Sequence, residues 1–280
     1  MDILENKPLE IRIGQHGLVK IIDCMPRLVN PGETFDHAIC QAARTSYGSN
    51  DVKPSEKVNR GLIRYLFRHE HGTPFEMVNI KFYLSLPIFI ARQIIRTRTA
   101  SVNEYSMRYK QPKDKFFVPE VNGVRLQSTD NKQGSQEKAS FEDASAFILY
   151  TEQVASEALK KNEEFEQKGI GREINRINMP LSTFTEWYWE IDFRNLLHFL
   201  SLRLDSHTQK ETREYAEAMY SLCKPLAPYS FEAFEDFEIG SIRLSKLEIE
   251  AIKSRISLLS AKSTERERVE FAEKLKRLGL

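Results

Sequence analysis

The sequence predicts an α+β protein in which a central antiparallel or mixed sheet is flanked by helices within a single domain. Two segments, residues 78–86 and 184–192, alternate apolar and polar side chains, as a strand with one buried face does. In the first, Ile80, Phe82 and Leu84 alternate with polar neighbours. Segments between and after these strands repeat apolar residues at helical spacing, which predicts helices that cover the sheet.

The remaining elements follow from turn residues and apolar spacing. Glycines divide the β-rich stretch 11–24, which predicts a strand pair. Helices are expected at 37–48, 58–72, 87–98, 141–168, 193–204 and from Asp205 or Ser206 to Cys223. Gly48 is expected to end the first helix, and Gly72 to be the C-cap of the second. Pro87 suits the first turn of the third helix, and Asp192 is expected to cap the helix 193–204. In helix 87–98, the residues expected to face the core are Ile88, Phe89, Ile94 and Ile95.

Two segments differ in character from the rest of the main domain, which is expected over residues 1–240. The polar stretch at about 122–140 lacks periodicity and bulky apolar residues, which predicts a surface loop or a partly disordered insert. Residues 241–280 are charged and helical in pattern, which predicts a helical extension. Its Leu and Ile stripe is expected to pack on this subunit or a neighbouring one.

Composition limits the possible classes of function. The chain holds 41 Lys and Arg against 40 Asp and Glu, a formal net charge of +1, so no global field recruits nucleic acid. Cys24, Cys40 and Cys223 lie far apart, which favours reduced, structural thiols. The first residues lack the apolar core of a signal peptide, and no run of about 20 apolar residues could span a bilayer. A cytoplasmic protein with no membrane partner is therefore expected.

The segment RTRTASVNEYSMR, residues 96–108, has the components of an anion site. Its guanidinium groups match phosphate oxygens in a bidentate manner, and its serine hydroxyls and main-chain amides could complete the site. Asn103 and Glu104 could bind the edge of a base or a ribose hydroxyl. The alternative is a solvated helix end, where Arg96 and Arg98 would interact with the last carbonyl groups of helix 87–98.

The segment HEHGTPFE, residues 69–76, carries two histidines at a spacing that does not suit a metal. An i, i+2 pair on a helix diverges by about 200 degrees, unlike the i, i+4 pair of a zinc protease. No metal is expected here. The two remaining interpretations are that His69 ends a helix, or that His71 or Glu76 lines a pocket.

A third group of cations lies between Arg194 and His207. Arg194 and His198 are one helical turn apart, and so are Arg203 and His207. Because this helix is otherwise strongly apolar, its cations need anionic partners. Those partners would be either a ligand or the carboxylates of Asp192, Asp205 and Glu186.

Residues 96–108 resemble the signature RHRxxSxNExSxR of the flavin-dependent thymidylate synthases. All its fixed positions match except one, since Thr97 stands where the family usually has histidine. The resemblance extends outward through AARTSY, HGTPFE, PIFIARQ and LLHFLSLRLDSH. It covers roughly residues 10–235.

The resemblance implies two sets of binding residues and a homotetramer whose subunits share the sites. The implied FAD contacts are Ser46, Thr73, Glu76, Arg96, Thr97, Arg98, Thr99, Glu104, Asp192, Arg194, His198 and His207. The implied dUMP contacts are Gln93, Arg96, Glu104, Tyr105, Ser106, Met107, Arg108, Arg176 and Arg203.

The implied reaction is reductive methylation of dUMP at C5 to give dTMP. Methylenetetrahydrofolate would donate the carbon, reduced flavin the hydride, and NADPH would re-reduce the flavin. Arg203 would be the catalytic residue, stabilising negative charge as N3 of uracil ionises, because a guanidinium keeps its own proton. Arg108 and Arg176 would hold the phosphate.

Two other classes of function fit parts of the sequence. A nucleotide or single-strand RNA binding module would use the arginines of residues 96–108, with Tyr105 and Tyr109 as stacking platforms. The near-neutral net charge counts against it. A purely structural assembly protein is the other alternative, suggested by the charged C-terminal helices.

Overall fold

A five-stranded antiparallel sheet forms the centre of the fold. The computed structural model describes residues 1–46, 48, 55–129, 134–253 and 265–279. The sheet has the order β1 (Glu10–Ile13), β2 (Gly17–Met25), β3 (Asn79–Pro87), β7 (Phe184–Asp192) and β4 (Ser101–Glu104). Each neighbouring pair is antiparallel. The predicted antiparallel sheet is confirmed, and the mixed alternative does not occur in the described residues.

The two alternating segments form the central strands. β3 pairs with β7 along its whole length, from Asn79 opposite Asp192 to Pro87 opposite Phe184. The apolar residues of β3 that the alternation predicts to be buried are fully buried. On β7, Trp187 and Trp189 are each 1% exposed, which places two large aromatic rings in the core. The strong alternation of both segments therefore sets the register of the sheet.

Helices cover the sheet and belong with it to one compact unit, Met1–Phe234. They are α1 (Phe35–Thr45), α2 (Glu56–Arg68), α3 (Thr73–Glu76), α4 (Ile88–Ile94), α5 (Phe141–Gln167), α6 (Arg172–Asn175), α7 (Phe193–Arg203), α8 (Lys210–Cys223) and α9 (Pro228–Phe234). The predicted helices 141–168 and 193–204 are confirmed. Asp192 caps α7 as predicted, because its carboxylate accepts the main-chain N–H of Asn195 at 2.9 Å.

Several predicted helix ends were wrong. α1 ends at Thr45 rather than at Gly48, and α4 ends at Ile94 rather than at residue 98. Ile95 lies past the end of α4 and is 42% exposed, so it does not face the core. α8 begins at Lys210, because the Asp205 carboxylate accepts the N–H of His207 at 2.8 Å within a separate turn.

The end of α2 also differs from the prediction, which made Gly72 its C-cap. The helix ends at Arg68, and His69 is the C-cap. The N–H of His71 donates to Leu66 O at 2.9 Å and that of Glu70 to Phe67 O at 3.1 Å, the pattern of a Schellman motif. Glu70 therefore takes the left-handed position, with φ +56°, which glycine usually fills.

We expect Glu70→Gly to stabilise the protein by about 0.5–1 kcal/mol, because the left-handed strain that glycine removes, about 1–2 kcal/mol, exceeds the roughly 0.5–1 kcal/mol of extra backbone entropy that glycine loses on folding. Chemical denaturation measures the free energy of unfolding. Glu70→Ala is the control, since alanine removes the carboxylate and keeps the Cβ. A gain of equal size in both variants would mean that charge, not backbone conformation, is responsible.

The polar stretch 122–140 is not entirely a loop. β5 (Arg125–Gln127) and β6 (Ser135–Lys138) form a two-stranded hairpin, and the main chain of Ser128 donates to Gly134 O at 2.9 Å. Residues 130–133 of this stretch lie outside the described residues. Alternation gives no signal here because both faces of the hairpin strands are exposed.

The second compact unit is Glu235–Leu280, and it contains α10 (Lys246–Lys253) and α11 (Glu265–Leu278). Ala251 and Phe271 are buried in a small apolar cluster. Glu248 caps α10, accepting the main-chain N–H of Ser245 at 2.6 Å, and pairs with Lys274 at 2.7 Å. That this unit is an extension of the main domain stays a prediction.

Within the described segments, no helix combines the length and apolar character needed to cross a bilayer.

Candidate functional site

Residues 96–108 run from the end of α4 to the edge of the sheet. The N–H of Thr97 donates to Ile94 O at 3.0 Å, so Thr97 closes the turn after the helix. β4 then pairs with β7, with Ser101 opposite Glu190 and Glu104 opposite Trp187. The segment before Ser101 thus enters the sheet beside Glu190, three positions before α7 begins at Phe193.

The middle of this segment is fixed to β7 by its side chains and main chain. The Thr185 hydroxyl donates to the Glu104 carboxylate at 2.7 Å, and the N–H of Tyr105 donates to Glu186 O at 2.8 Å. The Lys113 ammonium lies 5.1 Å from the centroid of the Tyr105 ring and pairs with the Glu186 carboxylate. Glu104 and Tyr105 therefore have a defined position before any ligand binds.

The Glu186 carboxylate is held in its charged form. Desolvation by burial pushes its pKa up, but hydrogen bonds from Lys113 and Tyr83 outweigh that effect, and its pKa is lowered overall. The burial of the Tyr83 hydroxyl, together with its hydrogen bond to Glu186, raises the pKa of Tyr83. An ionised Glu186 keeps Lys113 in place over Tyr105.

Arg108 and Arg176, both predicted to hold the phosphate, contact Glu173 in different ways, Arg108 at its carboxylate and Arg176 at its main-chain carbonyl, and the sequence interpretation missed Glu173. Arg108 Nη2 lies 3.2 Å from Glu173 Oε2, and Arg176 Nε donates to Glu173 O at 3.2 Å. The Ser106 hydroxyl accepts the N–H of Arg108 at 3.3 Å. Since the Arg108–Glu173 pair is exposed, it contributes little stability and can be exchanged for another anion.

Three further hydrogen bonds connect this loop, α5 and α6 with one another. Arg172 donates to Glu166 at 2.6 Å and to the carbonyl of Tyr109 at 3.0 Å, and Gln111 donates to Glu166 at 2.9 Å. The Tyr105 hydroxyl donates to Gln111 O at 2.5 Å. The close spacing of Arg172, Glu173 and Arg176 was the available sequence signal for this cluster, and α6 ends at Asn175, just before Arg176.

Arg203 and Gln93, which are both predicted to contact the nucleotide, are also neighbours. Arg203 Nη2 donates to Gln93 O at 3.3 Å. Arg203 Nε is buried and has no hydrogen-bond partner in the described part of the chain. Desolvation by burial lowers the pKa of this guanidinium, but at neutral pH it remains charged.

A third group lies where α3 contacts α7, and it holds predicted flavin residues. Arg194 Nε lies 3.8 Å from Glu76 Oε1, and the Arg194 guanidinium covers Gly72, where an added Cβ would come within 2.1 Å of Nη1. His198, one turn after Arg194, is exposed. The Asp192 carboxylate accepts two hydrogen bonds from Asn195, one from its main-chain N–H at 2.9 Å and one from its side-chain amide at 2.5 Å.

The sequence analysis offered carboxylates as partners for the cations between Arg194 and His207, and this pairing is partly observed. His207 Nδ1 lies 2.7 Å from Asp205 Oδ1, so that predicted alternative is confirmed for His207. Arg194 instead forms an ion pair with Glu76, and Arg203 donates a hydrogen bond to the main-chain carbonyl of Gln93. Ser46, Arg96, Arg98, Thr99 and Met107 make no side-chain hydrogen bond or ion pair to these groups within the described residues.

Comparisons with known proteins identify the family. A model of the Thy1 family, described as thymidylate synthase complementing protein, matches residues 27–229. A flavin-dependent thymidylate synthase of Dictyostelium discoideum is 49% identical over 269 residues, 96% of this chain and 87% of that protein. Another, of Gluconobacter oxydans, is 42% identical over 92% of this chain and 82% of its own length. The chain belongs to the flavin-dependent thymidylate synthase family.

The fold of this family member also matches a solved structure. A UMP/dUMP methylase PolB from Streptomyces cacaoi, bound with 5-Br dUMP, superposes with a TM-score of 0.71 and 31% identity. The match covers 81% of this chain and 98% of that one. The family match, residues 27–229, includes all the predicted site residues, from Ser46 to His207.

The three cysteines of this family member are buried and free. Burial raises the pKa of the Cys24 and Cys40 thiols to about 12 and also raises that of Cys223. At neutral pH these thiols remain protonated, and none can act as a nucleophile without leaving the core.

Proposed function

We propose that the protein is an FAD-dependent enzyme that methylates dUMP to dTMP, with methylenetetrahydrofolate as carbon donor and NADPH as reductant. The observation that carries this proposal is that Arg108, whose exposed pair with Glu173 can be exchanged for another anion, lies on the same segment as Glu104 and Tyr105, which are fixed on β7. This arrangement supports a nucleotide site in which one segment supplies a guanidinium for the phosphate and polar groups for the base. The names of the relatives support the proposal. The proteins from Dictyostelium discoideum and Gluconobacter oxydans are flavin-dependent thymidylate synthases, and the similar solved structure is a UMP/dUMP methylase.

The donor groups suit a flavin dinucleotide. Arg96 and Arg98 are exposed and have no carboxylate within ion-pair distance among the described residues, which leaves two guanidinium groups for the pyrophosphate. Arg194 and the hydroxyls of Thr73 and Thr99 would add donors. Thr97 cannot supply an imidazole, so its hydroxyl and main chain would serve in its place. The bound reduced flavin would supply hydride, so the protein needs no thiolate.

The residues of the chain would bind and polarise the nucleotide. Arg108 would leave Glu173 and, with Arg176, hold the phosphate. Ser106 and Glu104 would orient the sugar and base, and Gln93 would act through its main-chain carbonyl, which receives the Arg203 guanidinium. Arg203 would stabilise the negative charge that develops as N3 of uracil ionises, because a half-buried guanidinium interacts strongly with charge.

The proposed working form is a homotetramer with sites shared between subunits, in the cytoplasm. The long helix α5 supports association, since Phe147 and Tyr150, which share a helix face at i and i+3, are both more than half exposed. Three free cysteines suit a reducing compartment. RNA binding is less well supported, because the Tyr105 ring is covered by Lys113, which leaves only Tyr109 open among the two predicted stacking residues.

The test is the reaction itself. Purified protein should be yellow or bind added FAD, and its reduced flavin should be reoxidised when dUMP and methylenetetrahydrofolate are both added, with formation of dTMP. Omitting either substrate is the control. Protein that stays inactive with FAD supplied would exclude the proposal, and tight, salt-dependent binding of single-stranded RNA by that protein would favour the alternative.

A further inference from the structure

Helix α8 contacts the predicted nucleotide site through two residues with no assigned role. The hydroxyl of Thr212 donates to Gln93 Oε1 at 3.0 Å, and Gln93 Nε2 donates to Gln209 Oε1 at 2.5 Å. Thr212 is fully buried, whereas Gln209 is exposed. Both polar atoms of the Gln93 amide are therefore bound, one by the buried Thr212 of α8 and one by Gln209, the exposed N-cap residue of that helix.

Holding the Gln93 side chain also holds its main chain. Gln93 lies in the last turn of α4, where carbonyl groups have no partner within the helix. Its carbonyl receives Arg203 Nη2 at 3.3 Å, which is the one hydrogen bond of that side chain within the described residues. The negative end of the α4 dipole adds to the attraction. The position of the Arg203 guanidinium thus depends on where Gln93 is fixed.

We infer that Thr212 and Gln209 are positioning residues that fix Gln93 and, through its carbonyl, aim the Arg203 guanidinium at the nucleotide base. This inference rests on the proposed function, because Arg203 must act on the base. Neither residue contacts the substrate in this scheme. Their loss should therefore affect the chemical step more than the binding of dUMP.

The direct test is Thr212→Val, which keeps the shape of the side chain and removes its hydroxyl. We expect kcat to fall by about tenfold, since a small misplacement of a catalytic group has effects of this order or larger. The dissociation constant of dUMP should change by less than about threefold. Thr212→Ser keeps the hydroxyl and should restore most of kcat.

A double-mutant cycle distinguishes positioning from general damage. If Thr212 acts through Arg203, Thr212→Val should cost little further activity in an Arg203→Lys background, where the guanidinium is already absent. Equal fold losses in both backgrounds would overturn the inference. Ser230→Ala, which removes a fully buried hydroxyl from α9, is the control for the loss of a buried hydroxyl group, and its kcat should not change.

Gln209→Met provides a second variant on an exposed position, in case Thr212→Val does not fold. It should also lower kcat, by about threefold, a smaller loss than in Thr212→Val, because Gln209 is exposed and water can replace the lost bond. A wild-type kcat in both folded variants would exclude the inference while leaving the proposed function intact. Wild-type protein that forms no dTMP would instead exclude the proposed function, and the inference with it.

Discussion

Arg203→Ala is expected to lower kcat for dTMP formation by about 10³-fold, with much less effect on the dissociation constant of dUMP. Removing one group that stabilises charge developing in the transition state costs about 10²–10³ in rate, and the half-buried position of this guanidinium favours the upper end. Because the charge forms only as the base ionises, the loss falls on kcat rather than on binding.

Arg203→Lys is the matched variant, since it keeps the positive charge and loses the planar fork. A lysine ammonium is a point charge that cannot reproduce guanidinium geometry, so we expect an intermediate loss of about tenfold to 10²-fold. Flavin content and the mass of the assembly should match wild type. A kcat within fivefold of wild type in Arg203→Ala, or loss of assembly in that variant, would contradict a catalytic role.

Arg108→Ala and Arg176→Ala are each expected to raise the KM for dUMP by about tenfold to 10²-fold and to change kcat less. A hydrogen bond to a charged group contributes about 1.5–3 kcal/mol, which corresponds to this range. The effect should shrink as salt rises, because exposed charges are screened. Deoxyuridine, which has no phosphate, separates the contributions: both variants should use it as well as wild type does.

The control for these two variants is Arg125→Ala, which removes an exposed arginine from the hairpin strand β5. Its KM for dUMP should equal that of wild type. A similar rise in KM in Arg125→Ala would point to the general charge of the protein rather than to a phosphate site. An unchanged KM in Arg108→Ala and Arg176→Ala would remove both residues from the proposed site.

The sequence predicted the central strands well and several helix ends poorly. β3 and β7 follow from alternation because each has one fully buried face, which a period of two records directly. The end of α2 does not follow, because Glu70 occupies a left-handed position that normally signals itself by glycine. The hairpin β5–β6 has no buried face and so leaves no pattern in the sequence.

The candidate site was predicted as residue types, not as contacts. The arginines of residues 96–108 stand out in the sequence, but nothing local indicates that Arg108 meets Glu173, 65 positions away. Likewise Thr185 and Thr212 are ordinary buried threonines until the fold brings them to Glu104 and Gln93. Such contacts depend on tertiary packing, which local spacing does not encode.

Helix α7 carries both Arg194 and Arg203, and their separation bears on how the proposed sites are assembled. Nine residues advance the helix by about 14 Å and rotate it by about 900 degrees, which leaves the two side chains on opposite sides of the axis. Arg203 lies on the side of Leu196 and Phe199, which are buried, whereas Arg194 lies with exposed His198. One copy of α7 therefore presents its two arginines to different surroundings. Under the proposed function, α7 would therefore contribute to flavin binding through one side and to nucleotide binding through the other.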